Sequence, residues 1–145
     1  MKTVLAHGTF DLLHSGHIEY LEFAKKQGDS LTVALSSDSM AQKRKGKQRP
    51  IMPFTMRKKV VGALKAVDKV IEAPYPTDDL IKNLMQLVRT RRPTIFVSSY
   101  SDFDERFHEE MAGIGVRFVH APIFGKTTTT DIIKRILSRY DQTTT

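Results

Sequence analysis

Short apolar runs of strand length alternate along this chain with longer runs in which apolar residues recur at helical spacing. Thr3 to His7 reads as a first strand, Leu31 to Leu35 as a second, Val67 to Glu72 as a third, Thr94 to Ser98 as a fourth and Val116 to Val119 as a fifth. Between them, Ser15 to Gln27 reads as a helix closed by Gly28, a residue suited to helix C-termini. Met56 to Ala66 places Val60, Val61 and Leu64 on one helical face. Thr77-Asp78-Asp79 caps a helix running to about Arg89, and Glu105 to Gly113 forms another. Thr130 and Asp131 cap a last helix over Ile132 to Arg139. The basic segment Lys43 to Arg49 breaks the alternation and reads as a mobile loop. Strands separated by helices imply an α/β fold: a single Rossmann-like, doubly wound domain with a mostly parallel five-stranded sheet. The expected domain covers residues 1–140, with 141–145 as a flexible tail.

Composition narrows the class. The 145 residues suit one domain with one sizeable core, and 40% apolar with 27% charged residues are the proportions of a soluble globular protein. No apolar run approaches the ~18 residues of a membrane span. The apolar run before Gly8 is too short for a signal peptide, and there is no cysteine for disulfides or thiolate metal sites. A cytoplasmic location is expected on those grounds. The net charge of +7 points to an anionic partner. Its basic residues gather at Lys43–Arg49, Arg57–Lys59 and Arg89–Arg92 rather than along one helical stripe, and no zinc spacing or RNP-type aromatic motif accompanies them. A small anionic ligand is therefore favoured over nucleic acid.

The candidate chemistry lies at Gly8-Thr9-Phe10-Asp11-Leu12-Leu13-His14-Ser15-Gly16-His17, between the first strand and the first helix. In an open α/β sheet, ligands bind beyond the carboxyl ends of the strands. A helix N-terminus there offers free N–H groups and a partial positive charge, which suit phosphate. His14 and His17, three apart, fall on one side of a helical turn. Zinc would need a third ligand, and none stands near, so no metal site is expected. Imidazoles aimed at an α-phosphate can instead hydrogen-bond the extra negative charge of a five-coordinate phosphorus. Gly8 and Gly16 permit close approach of backbone to ligand, and Thr9 can donate to phosphate. Phe10 reads as core rather than as a stacking platform. Asp11 reads as an acceptor for loop N–H groups or an indirect Mg²⁺ ligand rather than a general base.

Gly8-Thr9-Phe10-Asp11 with His14-Ser15-Gly16-His17 resembles the HxGH nucleotidyltransferase superfamily, in the branch similar to the ethanolamine-phosphate and glycerol-3-phosphate cytidylyltransferases. The resemblance extends to Lys45-Gly46-Lys47, Arg49-Pro50-Ile51-Met52 and Arg57, to Val67–Ile71 with Ala73-Pro74-Tyr75-Pro76, and to Thr128–Ile136. The Lys-Gly-x-x-Arg-Pro pattern also resembles heptose-phosphate and archaeal FMN adenylyltransferases.

The resemblance implies that His14, His17 and Lys45 are catalytic, the histidines stabilising the α-phosphate in the transition state and Lys45 reaching a phosphate. It implies that Gly8, Thr9, Phe10, Asp11, Gly16, Lys126, Thr128, Thr129 and Thr130 bind nucleotide. The three threonines would hold the β- and γ-phosphates at a helix start, where they could equally serve as N-caps. Arg57 would hold an acceptor phosphate or order its loop. Two segments depart from the family. Its Arg-Thr-x-Gly is Ile123-Phe124-Gly125-Lys126-Thr127 here, with Lys126 as the replacement charge, and its Gly-Asp pair after the fourth strand is Ser98-Ser99-Tyr100-Ser101-Asp102.

The expected activity is nucleotidyl transfer, CMP from CTP first, to a phosphorylated alcohol with release of pyrophosphate. The alternatives are adenylyl transfer to a sugar phosphate or FMN, and a non-catalytic nucleotide-binding homologue. Mg²⁺ would be bound mainly through the triphosphate. A homodimer is implied by the resemblance alone.

Overall fold

The computed structural model describes residues 1–74, 77–99, 103 and 105–141. Tyr75-Pro76, Tyr100-Ser101-Asp102 and the tail from Gln142 to Thr145, all singled out above, lie outside the described residues. Five strands, β1 (Thr3–Gly8), β2 (Ser30–Leu35), β3 (Lys69–Glu72), β4 (Ile95–Ser98) and β5 (Arg117–His120), form one sheet in the order β3-β2-β1-β4-β5. Every pairing is parallel. The helices are α1 (Ser15–Lys25), α2 (Asp38–Lys45), α3 (Phe54–Gly62), α4 (Leu80–Arg91), α5 (Glu105–Gly113) and α6 (Thr129–Tyr140).

The period-2 geometry of a strand divides its side chains between two cores. Val4 and Ala6 of β1, Val33 of β2 and Ile95 and Val97 of β4 face α1 and α3, where Tyr20, Leu21, Ala24 and Val61 cover them. Leu5 of β1, Ala34 of β2 and Phe96 of β4 face the opposite layer, under Leu84, Leu87 and Val88 of α4 and Phe107 and Met111 of α5. The central strands are covered on both faces, which is why they read as nearly unbroken apolar runs. The chain winds outward from β1 to β3, then returns to place β4 on the other side of β1. The carboxyl ends of β1 and β4 therefore flank the point where strand order reverses, and that crevice is the ligand position of this architecture.

Three segments differ from the sequence expectation; the helix expected over Met56 to Ala66 starts two residues earlier and ends at Gly62. Lys43–Lys45 do not belong to a loop; they are the last turn of α2. The polar face of α2 hides its helical pattern, because only Met40 and Ala41 are buried. Ser37 starts the helix by accepting a hydrogen bond from Met40 N–H at 3.2 Å, and Gly46, at φ 103°, ends it. The last helix begins earlier than Ile132. Thr128 is its N-cap, accepting from Asp131 N–H at 3.1 Å, while the Asp131 carboxylate accepts from Thr128 N–H at 2.9 Å. Only Thr129 of α6 is buried, and Ile136, Leu137 and Tyr140 on its outer side remain exposed. Among the described residues no helix is long and apolar enough to cross a membrane.

Candidate active site

The turn from β1 into α1 has an unusual backbone. Phe10 (φ 53°) and Leu12 (φ 48°) adopt the left-handed region, which costs a residue with a Cβ about 1 kcal/mol or more. Surrounding bonds hold the turn in place. Arg57, fully buried, donates to Thr9 O (2.8 Å), Ser36 O (2.9 Å) and Met52 O (2.9 Å) and pairs with Asp38 at 2.7 Å. The buried Asp11 carboxylate accepts from Ile51 N–H (2.7 Å) and Met52 N–H (2.9 Å) and faces Arg49 Nε at 3.3 Å. The Asp11 carbonyl accepts from the Thr129 hydroxyl at 2.9 Å, which ties the turn to the start of α6. Asp11 is thus the loop acceptor that its position suggested.

The turn delivers the two histidines in a fixed protonation state. Gly16 N–H donates to His14 Nδ1 at 3.1 Å, and His14 N–H donates to His17 Nδ1 at 3.3 Å. A ring nitrogen that accepts a backbone N–H carries no proton, so the proton of each neutral imidazole sits on Nε2. Each ring therefore presents one Nε2–H donor. Burial, followed by the neighbouring charges of His14 and Lys45, lowers the His17 pKa to about 4. Burial and then Lys45 also push His14 below the ordinary histidine value. The rings stack with centroids 3.7 Å apart, an arrangement that disfavours a second positive charge. Both rings are thus neutral donors at neutral pH. Phe10 packs edge-on against His17 at 5.4 Å and is itself buried, so it supports the His17 ring from the core.

Gly16 sits between the histidines because the loop before α6 crosses it. A Cβ at Gly16 would lie 2.7 Å from the Phe124 carbonyl oxygen, too close for any side chain. Gly125, at φ 74°, completes the crossing from the other side, 3.4 Å from a Cβ's position to the Gly16 Cα.

Above the histidines lies a cleft of about 330 Å³, within the usual range for small-molecule sites. His7, Gly8, Thr9, Phe10, His14, Gly16 and His17 form one wall; Lys45 and Arg49 contribute cations; Pro122 to Gly125 and Thr127 to Thr130 close the far side. Ser99, at the end of β4, also reaches it. Lys45 leans in from the end of α2, and desolvation together with Arg49 and Arg44 holds its ammonium below the usual lysine pKa. No Asp or Glu lines the cleft among the described residues, and no group of three or more His, Asp or Glu able to hold a metal occurs among them.

Most residues singled out from the sequence converge here, and three do not. Arg57 is not a solvated helix charge and does not line the cleft. Its donors are taken by three carbonyls and Asp38, so of its two expected roles the structure places it in the loop-ordering one. Asp11 lies behind the wall, and Lys126 is exposed and outside the lining. The threonine hydroxyls are partly engaged: Thr128 caps α6 and Thr129 binds Asp11 O, whereas Thr130 meets Arg49.

Two lining residues carry weight that the sequence patterns do not assign. His7 is buried at the end of β1, its Nε2 3.3 Å from Ser36 Oγ, and burial lowers its pKa to about 3. Arg49 appears in the sequence only as part of a motif. A histidine closing the first parallel strand, and an arginine following the basic helix end, are the signals that mark them.

The family model described as cytidylyltransferase-like matches residues 5–136, from β1 through most of α6. The chain belongs to the cytidylyltransferase-like nucleotidyltransferases. It is 33% identical over 138 residues, 95% of its length, to the bifunctional protein HldE of Halorhodospira halophila, of which it spans 28%. The match to HldE of Shigella sonnei is 50% over 70 residues, covering 48% of this chain and 15% of that protein. The chain thus spans roughly a quarter or less of these curated relatives.

Among solved structures, the lipopolysaccharide core biosynthesis protein from Thermoplasma volcanium is 32% identical, with a TM-score of 0.71 over 86% of this chain and 99% of that one. Pantothenate synthetase from Thermus thermophilus, at 13% identity, shares the fold, with a TM-score of 0.60 over 84% of this chain and 56% of that one. The fold of this nucleotidyltransferase is the Rossmann-like α/β domain with its five-stranded sheet entirely parallel.

Proposed function

We propose that this nucleotidyltransferase moves an adenylyl group from ATP to a sugar phosphate and releases pyrophosphate. One observation carries the site assignment: two neutral imidazoles, each with its proton fixed on Nε2, stacked on the floor of a cation-lined cleft at the strand-order switch. A phosphate oxygen of the acceptor attacks the α-phosphorus in line. The new P–O bond forms as the bond to the β-phosphate bridging oxygen breaks, and that oxygen leaves with the electron pair as pyrophosphate. No base is required, because an acceptor phosphate is already ionised at neutral pH. The work left to the protein is positioning and charge stabilisation. His14 and His17 donate to the α-phosphate, whose charge grows in the transition state, and Lys45 neutralises the phosphates from above.

The donor set of the cleft is imidazole nitrogen, hydroxyl and cation, and the Asp11 oxygens are taken by amides. That set does not suit a resident Mg²⁺, which prefers carboxylate and water oxygens. Magnesium accordingly enters as part of the nucleotide substrate.

Adenylyl transfer is preferred over cytidylyl transfer on the relatives. The Thermoplasma volcanium relative, matched over 99% of its length, is a lipopolysaccharide core biosynthesis protein, and the curated relatives are bifunctional HldE proteins. The Lys45-Gly46 and Arg49-Pro50 pattern resembles that of heptose-phosphate adenylyltransferases as well. The test is pyrophosphate release with ATP, CTP, GTP or UTP against hexose phosphates, heptose phosphates and phospho-alcohols. Release with ATP and a sugar phosphate, with adenylyl found on the sugar phosphate, is the expected result. Turnover confined to CTP and a phospho-alcohol would replace it with the cytidylyltransferase reading.

A further inference from the structure

We propose that Arg49 binds the β- and γ-phosphates of the nucleotide, the part that departs as pyrophosphate. This rests on the nucleotidyltransferase reading of the cleft and adds to it a binding residue that the sequence does not assign.

Arg49 is held as a ligand-binding arginine should be. Its side chain is only 11% exposed, yet it lines the cleft. Asp11 Oδ2 faces its Nε at 3.3 Å, and the same carboxylate is fixed by the amides of Ile51 and Met52. One edge of the guanidinium is thereby ion-paired, and Nη1 reaches across to Thr130 Oγ1 at 3.5 Å. A planar fork fixed in this way loses little freedom on gripping a phosphate and can do so through two parallel bonds.

The direction in which it points is the informative part. Thr130 stands in the first turn of α6, whose N-terminus carries a partial positive charge. Arg49, its Nε edge facing Asp11, thus turns its other edge toward the positive end of a helix, with Lys45 as a further cation nearby. Desolvation first, and then the Arg49 charge, hold the Lys45 pKa below its usual value. With one Asp11 carboxylate set against Arg49, Lys45 and the helix end, the cleft keeps an excess of positive groups, which favours an anion. His14 and His17 line the cleft at the start of α1, and Arg49 lines it from the α2–α3 connection, with its Nη1 beside the first turn of α6. A triphosphate with its α-phosphate on the histidines would lay its remaining phosphates at Arg49. Lys126, the charge expected there from its own loop, is exposed and outside the cleft, so the cation for this position comes from the α2–α3 connection instead.

A merely structural Arg49, bracing Asp11, would affect every ligand alike. Calorimetric titration of wild type, Arg49→Ala and Arg49→Lys with ATP, AMP and inorganic pyrophosphate separates the roles. Arg49→Ala is expected to weaken ATP and pyrophosphate by about 10–100-fold while AMP stays within about twofold. Arg49→Lys should keep the fold and recover only part of the loss, because an ammonium lacks the fork. If Arg49→Ala does not fold, Arg49→Lys alone must show the same selective loss. Equal weakening of AMP and ATP, or no weakening of pyrophosphate, overturns the inference and leaves the cleft assignment standing. A wild type that binds neither nucleotide nor pyrophosphate overturns both.

Discussion

Replacing His17 with alanine lowers kcat by about 10²–10⁴-fold and leaves the affinity for nucleoside triphosphate within a few-fold of wild type. The asymmetry follows from what the ring does. Its Nε2–H is one of two neutral donors beside the cations Lys45 and Arg49, so the bound ground state loses little without it. In the transition state the α-phosphate oxygens gain charge at the point where that donor is already aimed. His17 has a second task, since its Nδ1 accepts His14 N–H and helps close the first turn of α1. Alanine removes both. His17→Asn separates them, because an amide oxygen can still accept from the backbone while nothing reaches the phosphate. Its melting temperature should approach wild type and its rate should not. Steady-state kinetics and a thermal melt of both variants check the point, and a proportional fall in affinity and rate would place His17 in uniform binding instead.

Arg57→Ala should cost about 3–5 kcal/mol of folding stability, a large share of the ~5–15 kcal/mol that holds a domain of this size together. Arg57 is a fully buried cation that satisfies the carbonyls of Thr9, Ser36 and Met52 and the carboxylate of Asp38. Truncation leaves the three carbonyls without that donor in a space water enters poorly. Arg57→Lys offers one ammonium where the site needs three separately directed nitrogens, so it should recover only a minority of the loss. Urea unfolding of the two variants measures this directly. Because Thr9 and Met52 flank the Asp11 anchor, the surviving folded fraction should also bind nucleotide more weakly. A shift below about 1 kcal/mol would mean that the carbonyls find other donors.

The sheet and the histidine turn are legible in the sequence for one reason: both depend on local patterns. β1 and β4 are apolar runs bounded by turn residues, and His14-Ser15-Gly16-His17 is contiguous. What escaped depends on contacts across the fold. α2 looks like a loop because just two of its residues face inward, and no periodicity test sees a helix anchored by Met40 and Ala41. The role of Arg57 is invisible in a run of basic residues, since two of its carbonyl partners, Thr9 and Ser36, lie 48 and 21 positions away. Arg49 gains its direction from Asp11 on one side and Thr130 on the other, 38 and 81 positions away in sequence. The choice between CTP and ATP is equally hidden, because the segment after β4 carries Ser98-Ser99-Tyr100-Ser101-Asp102 in place of the Gly-Asp pair the resemblance leads one to expect.

Nitrogen-15 NMR of the histidine side chains, with and without nucleotide, bears most directly on the site. At pH 7, His14 and His17 should both appear as neutral Nε2–H tautomers, and His17 should titrate only near pH 4. Adding Mg²⁺ with the preferred nucleoside triphosphate should move both Nε2 resonances and leave the Nδ1 acceptors in place. An Nδ1–H tautomer, an imidazolium at pH 7, or spectra indifferent to nucleotide would contradict the assignment of these two rings to the α-phosphate.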